Sequence, residues 1–180
     1  YKLNLESEST EGQHHYIVPE DAPVIQVEVT RADSLTDDII LYEFRRPDGG
    51  ELPQWSAGAH LDIVVTPEYL RQYSMSGNPA DRNLYQIAVL REDQGRGGSM
   101  MMHRIFTPGR RVFVSKPINH FELVEEAENT LLMGGGIGIT PMVAFAHRLH
   151  ALARPFELHY SVSDRAQAGF MADLQDVPWK

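Results

Sequence analysis

The chain has 180 residues, 42% of them apolar, so it can bury a substantial core as one domain or two small ones. Its net charge of −9 argues against a nucleic-acid partner, and no stretch approaches the roughly 18 apolar residues of a membrane span. The absence of cysteine excludes disulfides, thiolate nucleophiles and iron–sulfur clusters ligated by these residues. We expect a soluble, cytoplasmic protein with neither nucleic acid nor membrane as partner.

Residues 1–22 are polar and acidic, and they lack sustained periodicity. We predict a tail or linker there. The adjacent His14 and His15 have no third ligand nearby, so solvated side chains are favoured over a metal site.

Short runs that alternate between apolar and polar residues begin at Pro23. They predict antiparallel strands, and about six such strands can close a barrel. The predicted strands are Val24–Val29, Ile39–Phe44, His60–Val65, Tyr73–Ser76, Tyr85–Arg91 and Arg111–Ser115. We therefore predict a six-stranded antiparallel barrel domain over residues 23–124.

A glycine turn at Gly95–Ser99 precedes a short helix that reaches Phe106. A second glycine turn follows the buried strand that begins at Leu131 and leads into a helix at Thr140. Thr140 is predicted to cap this helix and Pro141 to occupy its first turn. Free amides at such a turn favour a phosphate, but a purely structural turn accounts for the glycines equally well.

The remaining residues, 125–180, predict one βαβ unit, namely part of a Rossmann-like α/β domain. Its helix runs from Thr140 to about Leu152, and its second strand is Phe156–Val162. A short helix is expected near 166–174. His147 and His150 lie one helical turn apart without a third ligand, so we expect exposed side chains and assign no metal site.

Three motifs together resemble those of the ferredoxin–NADP reductase superfamily. They are Arg71–Ser74 in a barrel strand, Gly95–Ser99 at a helix start and Gly134–Met142. The likeness is greatest to phthalate dioxygenase reductase, vanillate demethylase reductase and the reductase part of fused haem monooxygenases, and it runs from about Val24 to Asp173. It implies a flavin-binding barrel followed by a truncated NAD(P)H-binding domain.

The resemblance also implies roles for individual residues. Arg71 would pair with the flavin phosphate, Tyr73 would lie along the flavin, and Ser74 would hydrogen-bond the ring nitrogen that accepts hydride. The implied flavin-site residues are Arg71, Gln72, Tyr73, Ser74, Ala88, Leu90, Gly97, Gly98 and Ser99.

A second group of residues would serve the nicotinamide coenzyme. Gly135, Gly136, Gly138 and Thr140 would face its pyrophosphate and nicotinamide, and Asp164 would lie near the ribose. Asp164 favours NADH, whereas the neighbouring Arg165 could accept a 2′-phosphate, so NADH and NADPH both stay open.

The implied function is a flavin-dependent NAD(P)H oxidoreductase that passes electrons from NAD(P)H through FMN to an iron–sulfur centre serving an oxygenase. FMN is favoured over FAD, because Arg71 and the Gly97–Ser99 turn converge on one phosphate and no clear adenine platform follows. The [2Fe-2S] centre needs four cysteines, so it would lie outside this segment. No catalytic acid or base is assigned.

Two alternatives remain open: a stand-alone flavin or quinone reductase, and a nucleotide-binding electron-transfer subunit without turnover. The chain also departs from the family pattern. The family's nucleotide domain is much longer than residues 125–180, so this chain looks truncated. Ile118 stands where the family often has arginine, and we assign it no ligand contact.

Overall fold

The computed structural model describes residues 7–10, 13–16, 24–67 and 69–179. Two short strands, β1 (Ser7–Thr10) and β2 (Gln13–Tyr16), pair antiparallel within the segment predicted to be a tail or linker. The other residues of 1–22 lie outside the described residues, so the tail or linker stays a prediction.

Six antiparallel strands and one short addition form the sheet of the barrel, which confirms the predicted architecture. The strands are β3 (Val24–Ser34), β4 (Ile39–Arg45), β5 (Ala59–Thr66), β6 (Tyr69–Ser74), β7 (Tyr85–Leu90), β8 (Arg111–Ser115) and the short β9 (Ile118–Asn119). Their order in the sheet is β6-β5-β8-β3-β4-β7, with β9 paired to β5.

Alternation of apolar residues places one face of each strand inside the barrel. In β5, for example, Leu61 and Ile63 are fully buried. The strand predicted at Tyr73–Ser76 instead begins at Tyr69, because Leu70 and Tyr69 extend the pairing with β5 opposite Val64 and Thr66.

The barrel has a seam between β6 and β7, the two strands at the ends of the sheet order. Close to the end of β6, Met75 forms a bridge with Ile87 of β7, and the Ser76 amide donates to the carbonyl of Gln86. Beyond this bridge the edges of β6 and β7 are not paired with each other. Helix α1 (Gly98–Ile105) lies against both strands there.

The βαβ unit follows the predicted course. Strand β10 (Thr130–Gly135) enters a 3-10 turn at Gly136–Gly138, then α2 (Ile139–Ala151) and β11 (Phe156–Ser161), which is parallel to β10. The turn at Gly136–Gly138 lies against β7 of the barrel.

The prediction of a helix near 166–174 is wrong. Two short 3-10 turns occupy this part of the chain, at Arg165–Gln167 and Asp173–Gln175. Between them Phe170 is 2% exposed, and a Cβ at Gly169 would lie only 3.0 Å from Cβ of Leu35 in the barrel. Close packing against the barrel therefore shapes this segment in place of helical periodicity. Among the described residues, no helix is long and apolar enough to cross a membrane.

Candidate functional site

A cavity of about 160 Å³ opens at the barrel seam, and we call it the seam cavity. Its walls come from β6, from the end of β7 and from the glycine turn that begins α1. It is lined by Arg71, Gln72, Tyr73, Leu90, Glu92, Arg96, Gly98 and Ser99. Barrel closure thus brings together most of the residues that the family resemblance assigns to the flavin.

Arg71 is held in this cavity by its neighbours. Its Nη1 donates to the carbonyl of Leu70 at 2.8 Å, and its Nη2 donates to the carbonyl of Arg96 at 3.1 Å. Its guanidinium carbon lies 5.1 Å from the centre of the Tyr69 ring, within the range of a cation–π contact. The guanidinium is therefore oriented before any ligand binds.

Gly98 makes this position of Arg71 possible. A Cβ on Gly98 would overlap Nε of Arg71 and lie 2.8 Å from its Cγ. The arginine can therefore lie along the start of α1 only because residue 98 has no side chain. Free amides of the first helical turn and the guanidinium thus share one small volume.

Tyr73 and Ser99 supply hydroxyl groups to the seam cavity. Burial raises the pKa of Tyr73 to about 12, with Arg71 opposing the shift and Glu92 adding to it, so the phenol stays protonated at neutral pH. Ser99 is 8% exposed, and its Oγ accepts from the Glu92 amide at 3.1 Å. A hydroxyl that accepts in this way keeps its own hydrogen for donation into the cavity.

Three residues assigned to the flavin do not line the seam cavity: Ser74, Ala88 and Gly97. Ser74 lies opposite His60 of β5, and Ala88 is 3% exposed within the barrel core. Gly97 precedes α1 with a φ of 80°, and its carbonyl accepts from the Met101 amide. Their contacts with a ligand stay predictions.

Sequence reasoning assigned no role to Glu92, Arg96 or Tyr69. Arg96 stands within the glycine turn that had been singled out, and Glu92 is the second residue after β7. Tyr69 precedes Arg71 by two positions on the same strand, so the period of two could have placed both side chains on one face.

A second cavity, of about 440 Å³, lies at the carboxyl ends of β10 and β11, and we call it the turn cavity. This edge of a parallel sheet is where α/β domains bind nucleotides. It is lined by Gly135, Gly136, Ser161, Val162, Ser163 and Gln167. The segment from Ser161 to Arg165 had been expected near the coenzyme ribose, with roles given only to Asp164 and Arg165, whereas Gln167 had not been assigned to a site.

The glycines of the second turn fall into two groups. A Cβ at Gly134 would lie 2.8 Å from Cα of Ile139, so this glycine allows α2 to pack over the end of β10. A Cβ at Gly135, Gly136 or Gly138 would meet nothing within 4 Å. The side of the turn that these three face is therefore open to a ligand.

Thr140 does not cap α2, contrary to the prediction. The 3-10 turn shifts the cap to Gly138, and the Oγ1 of Thr140 donates to the carbonyl of Ile137 at 3.0 Å. Thr140 is 4% exposed and does not line the turn cavity, and neither does Gly138. Pro141 lies in the first turn of the helix, as predicted.

Asp164 likewise does not line the turn cavity. Its Oδ1 accepts from the Ala166 amide at 2.9 Å and caps the 3-10 turn at Arg165–Gln167. A contact between this carboxylate and the coenzyme ribose therefore stays a prediction.

His147 is not exposed as expected. Its ring packs edge-on against Trp179, with ring centres 4.2 Å apart. Burial, with a smaller contribution from the nearby His150, lowers its pKa to about 4. Within the described ranges, no group of three His, Asp or Glu side chains is arranged to hold a metal ion.

Comparison with known proteins identifies the family. A tert-butanol monooxygenase / tert-amyl alcohol desaturase reductase subunit of Aquincola tertiaricarbonis is 47% identical over 77% of this chain and 41% of its own length. A vanillate O-demethylase oxidoreductase of a Pseudomonas species is 41% identical over 84% of this chain and 48% of its own. The chain belongs to the ferredoxin–NADP reductase superfamily.

A solved structure agrees with this ferredoxin–NADP reductase fold. Phthalate dioxygenase reductase, described as a modular structure for electron transfer from pyridine nucleotides to [2Fe-2S], superposes with a TM-score of 0.83 at 35% identity, covering 89% of this chain and 50% of that one. No protein-family model matches the chain. The chain spans about half the length of the curated relatives it matches.

Proposed function

We propose that this chain is the flavin- and coenzyme-binding part of an NAD(P)H oxidoreductase that transfers electrons through FMN to an iron–sulfur centre of an oxygenase system. The observation that carries the proposal is the adjacency of the two cavities. The turn at Gly136–Gly138, beside the turn cavity, lies against β7, and Leu90 of β7 lines the seam cavity. Two nucleotides bound in these places would be neighbours.

The seam cavity has the donors that a flavin phosphate requires. Arg71, the Ser99 hydroxyl and the first amides of α1 converge there. The charged residues of the lining are two arginines and one glutamate, so its net charge is positive. Hydrogen bonds from a guanidinium to a phosphate are charge-assisted and orient the anion in two directions. We infer that these groups hold the phosphate while the protonated Tyr73 offers a flat face and a hydroxyl to the rest of the cofactor.

Two ring contacts favour FMN over FAD. The His103 ring, the only aromatic one in α1, has Nε2 at 2.9 Å from the Val89 carbonyl, which holds it on β7. One face of Tyr69 is covered by the Arg71 guanidinium. Both rings are thus already engaged by the protein, and the donors of the seam cavity converge on one phosphate position, so the single-phosphate cofactor is favoured.

The flavin supplies the chemistry that joins a two-electron donor to a one-electron acceptor. The task of the protein is to bind and orient the two cofactors and to exclude water. No side-chain acid or base is needed, because hydride passes between two rings held in contact. In the seam cavity the Tyr73 phenol, with a pKa of about 12, stays protonated and serves as a neutral hydrogen-bonding group.

The coenzyme is proposed to bind along the open side of Gly135 and Gly136, with NADH favoured over NADPH. Ser161, Ser163 and Gln167 line the turn cavity with neutral polar groups, and Asp164 adds a negative charge close by. A 2′-phosphate would be repelled by this charge, whereas a ribose 2′-hydroxyl would donate a hydrogen bond to it.

Two measurements on the full-length protein test the proposal. Heat or acid release followed by chromatography and mass spectrometry is expected to yield one FMN per chain, and stoichiometric FAD would overturn the choice of cofactor. Under anaerobic conditions NADH is expected to bleach the flavin absorbance and then reduce an iron–sulfur centre. If neither NADH nor NADPH bleaches the flavin, the oxidoreductase assignment is wrong. If the flavin bleaches but reduces no iron–sulfur centre, the stand-alone reductase is the better description.

A further inference from the structure

Gly58 lies at the point where the barrel meets the segment leading to the βαβ unit. Its φ of +95° is a backbone conformation that other residues rarely adopt. A Cβ at this position would overlap the backbone carbonyl of Phe121 and lie 3.0 Å from Cε1 of Phe145 in α2. Space and backbone conformation therefore both require glycine.

Asn119 connects the two segments that meet at Gly58. Its Nδ2 donates to Oγ of Ser56 at 2.7 Å and to the carbonyl of Ala57 at 2.9 Å. Its Oδ1 accepts from the Phe121 amide at 2.9 Å. The loop before β5 and the segment after β9 are thus held together by one side chain.

Helix α2 contacts this junction through its middle. The rings of Phe121 and Phe145 lie 5.1 Å apart, and Phe145 is 3% exposed. Six residues before Phe145, α2 begins at the glycine turn that lies against β7. The helix is therefore held near the barrel at two places about 9 Å apart along its axis.

We propose that Gly58 is a positioning residue that sets the separation of the two nucleotide sites. Because residue 58 has no side chain, the Phe121 backbone and Phe145 can approach the barrel closely, and α2 then presents Gly135–Gly138 to the seam. A methyl group at residue 58 would displace the Phe121 backbone and Phe145, and with them α2. This inference rests on the proposed function.

The test compares Gly58→Ala with Gly109→Ala in the full-length holoprotein. Gly109 has a φ of +90°, but a Cβ there would meet nothing within 4 Å. Both variants therefore place alanine at a φ near +90°, and they differ in the contact with Phe121 and Phe145. Both are expected to retain flavin, because Arg71, Gly98 and Ser99 lie elsewhere in the structure.

The decisive measurement is the rate of anaerobic flavin reduction at saturating NADH. We expect Gly58→Ala to reduce its flavin roughly ten- to a hundredfold more slowly than Gly109→Ala, since a displacement of about 1 Å can cost a factor of that size. Dithionite should reduce both flavins at equal rates, and the long-wavelength absorbance of stacked nicotinamide and flavin should be lost in Gly58→Ala alone. Equal rates with NADH would overturn the inference.

A second variant decides the matter if Gly58→Ala does not fold. Phe121→Ala removes a ring that is 52% exposed, so the barrel core stays intact, but it also removes the contact with Phe145. It is expected to bind flavin normally and to react several-fold more slowly with NADH, and an unchanged rate would overturn the inference. If the wild-type flavin itself is not reduced by NADH or NADPH, the proposed function fails first, which is a different outcome.

Discussion

Replacing Arg71 with alanine removes the guanidinium that the seam cavity provides for its ligand. Arg71 uses one N–H on the carbonyl of Leu70 and one on that of Arg96, so three of its five remain for a phosphate. A hydrogen bond to a charged group contributes roughly 1.5–3 kcal/mol, and each 1.4 kcal/mol is about tenfold in affinity. We therefore expect Arg71→Ala to weaken FMN binding roughly ten- to a hundredfold.

The assay is a titration of the flavin-free protein with FMN, in which the quenching of flavin fluorescence reports binding. Arg71→Lys keeps the charge without the planar fork, so its loss of affinity should be smaller. Arg82→Ala is the matched control, because it removes an arginine from an exposed pair with Glu51 at 3.0 Å. If Arg71→Ala binds FMN as tightly as Arg82→Ala, with the barrel folded in both, the guanidinium does not contact the phosphate.

Three further outcomes are expected. Gly98→Ala would push Arg71 from the cavity, so FMN affinity should fall about tenfold in the same titration, while the circular dichroism of the barrel stays unchanged. Unaltered affinity would contradict the view that Gly98 makes room for the Arg71 side chain. Asp164→Asn keeps the cap acceptor and removes the charge, so the NADPH-driven rate should rise relative to the NADH-driven rate, and a fixed ratio would exclude a role for the charge. The pKa of His147 is about 4 in the folded chain against 6.5 for the free side chain, so the unfolded chain binds more protons between these values. Stability therefore falls as the pH is lowered through that window, by about 1–3 kcal/mol once solvent screening of the partly exposed ring is allowed for. In denaturant titrations, His147→Gln should lose less free energy of unfolding than the wild type between pH 7 and pH 4.5. An equal loss would assign the acid sensitivity to other groups.

Local patterns in the sequence were sufficient for most strands of the barrel and for β10, α2 and β11, but not for the segment near 166–174. Alternation along β5 places Leu61 and Ile63 inside, because successive side chains of a strand point to opposite faces. The glycines at and after the end of β10 predicted the turn into α2, and one of them, Gly134, allows the close approach of helix and strand. These features depend on neighbours within a few positions, which the sequence displays directly.

The residues that line the seam cavity could be predicted from the sequence only through the family resemblance. Arg71, Leu90 and Ser99 lie on β6, β7 and α1, and no local pattern states that β6 and β7 are the two ends of one sheet. Closure of the barrel brings them together. Tyr69 and Arg96 were missed for the same reason, since their importance comes from where the Arg71 guanidinium lies.

Individual side-chain contacts, finally, were not determined by these patterns. Sequence reasoning gave Thr140 to a helix cap, whereas its Oγ1 donates to the Ile137 carbonyl. It did not anticipate that Oδ1 of Asp164 accepts from the Ala166 amide, and a contact of Asp164 with the ribose stays a prediction. Gly58 carried no signal at all, because its requirement comes from Phe121 and Phe145, which are remote in sequence. Composition and periodicity determine which elements form, but the space left for one methyl group depends on atoms that meet only after folding.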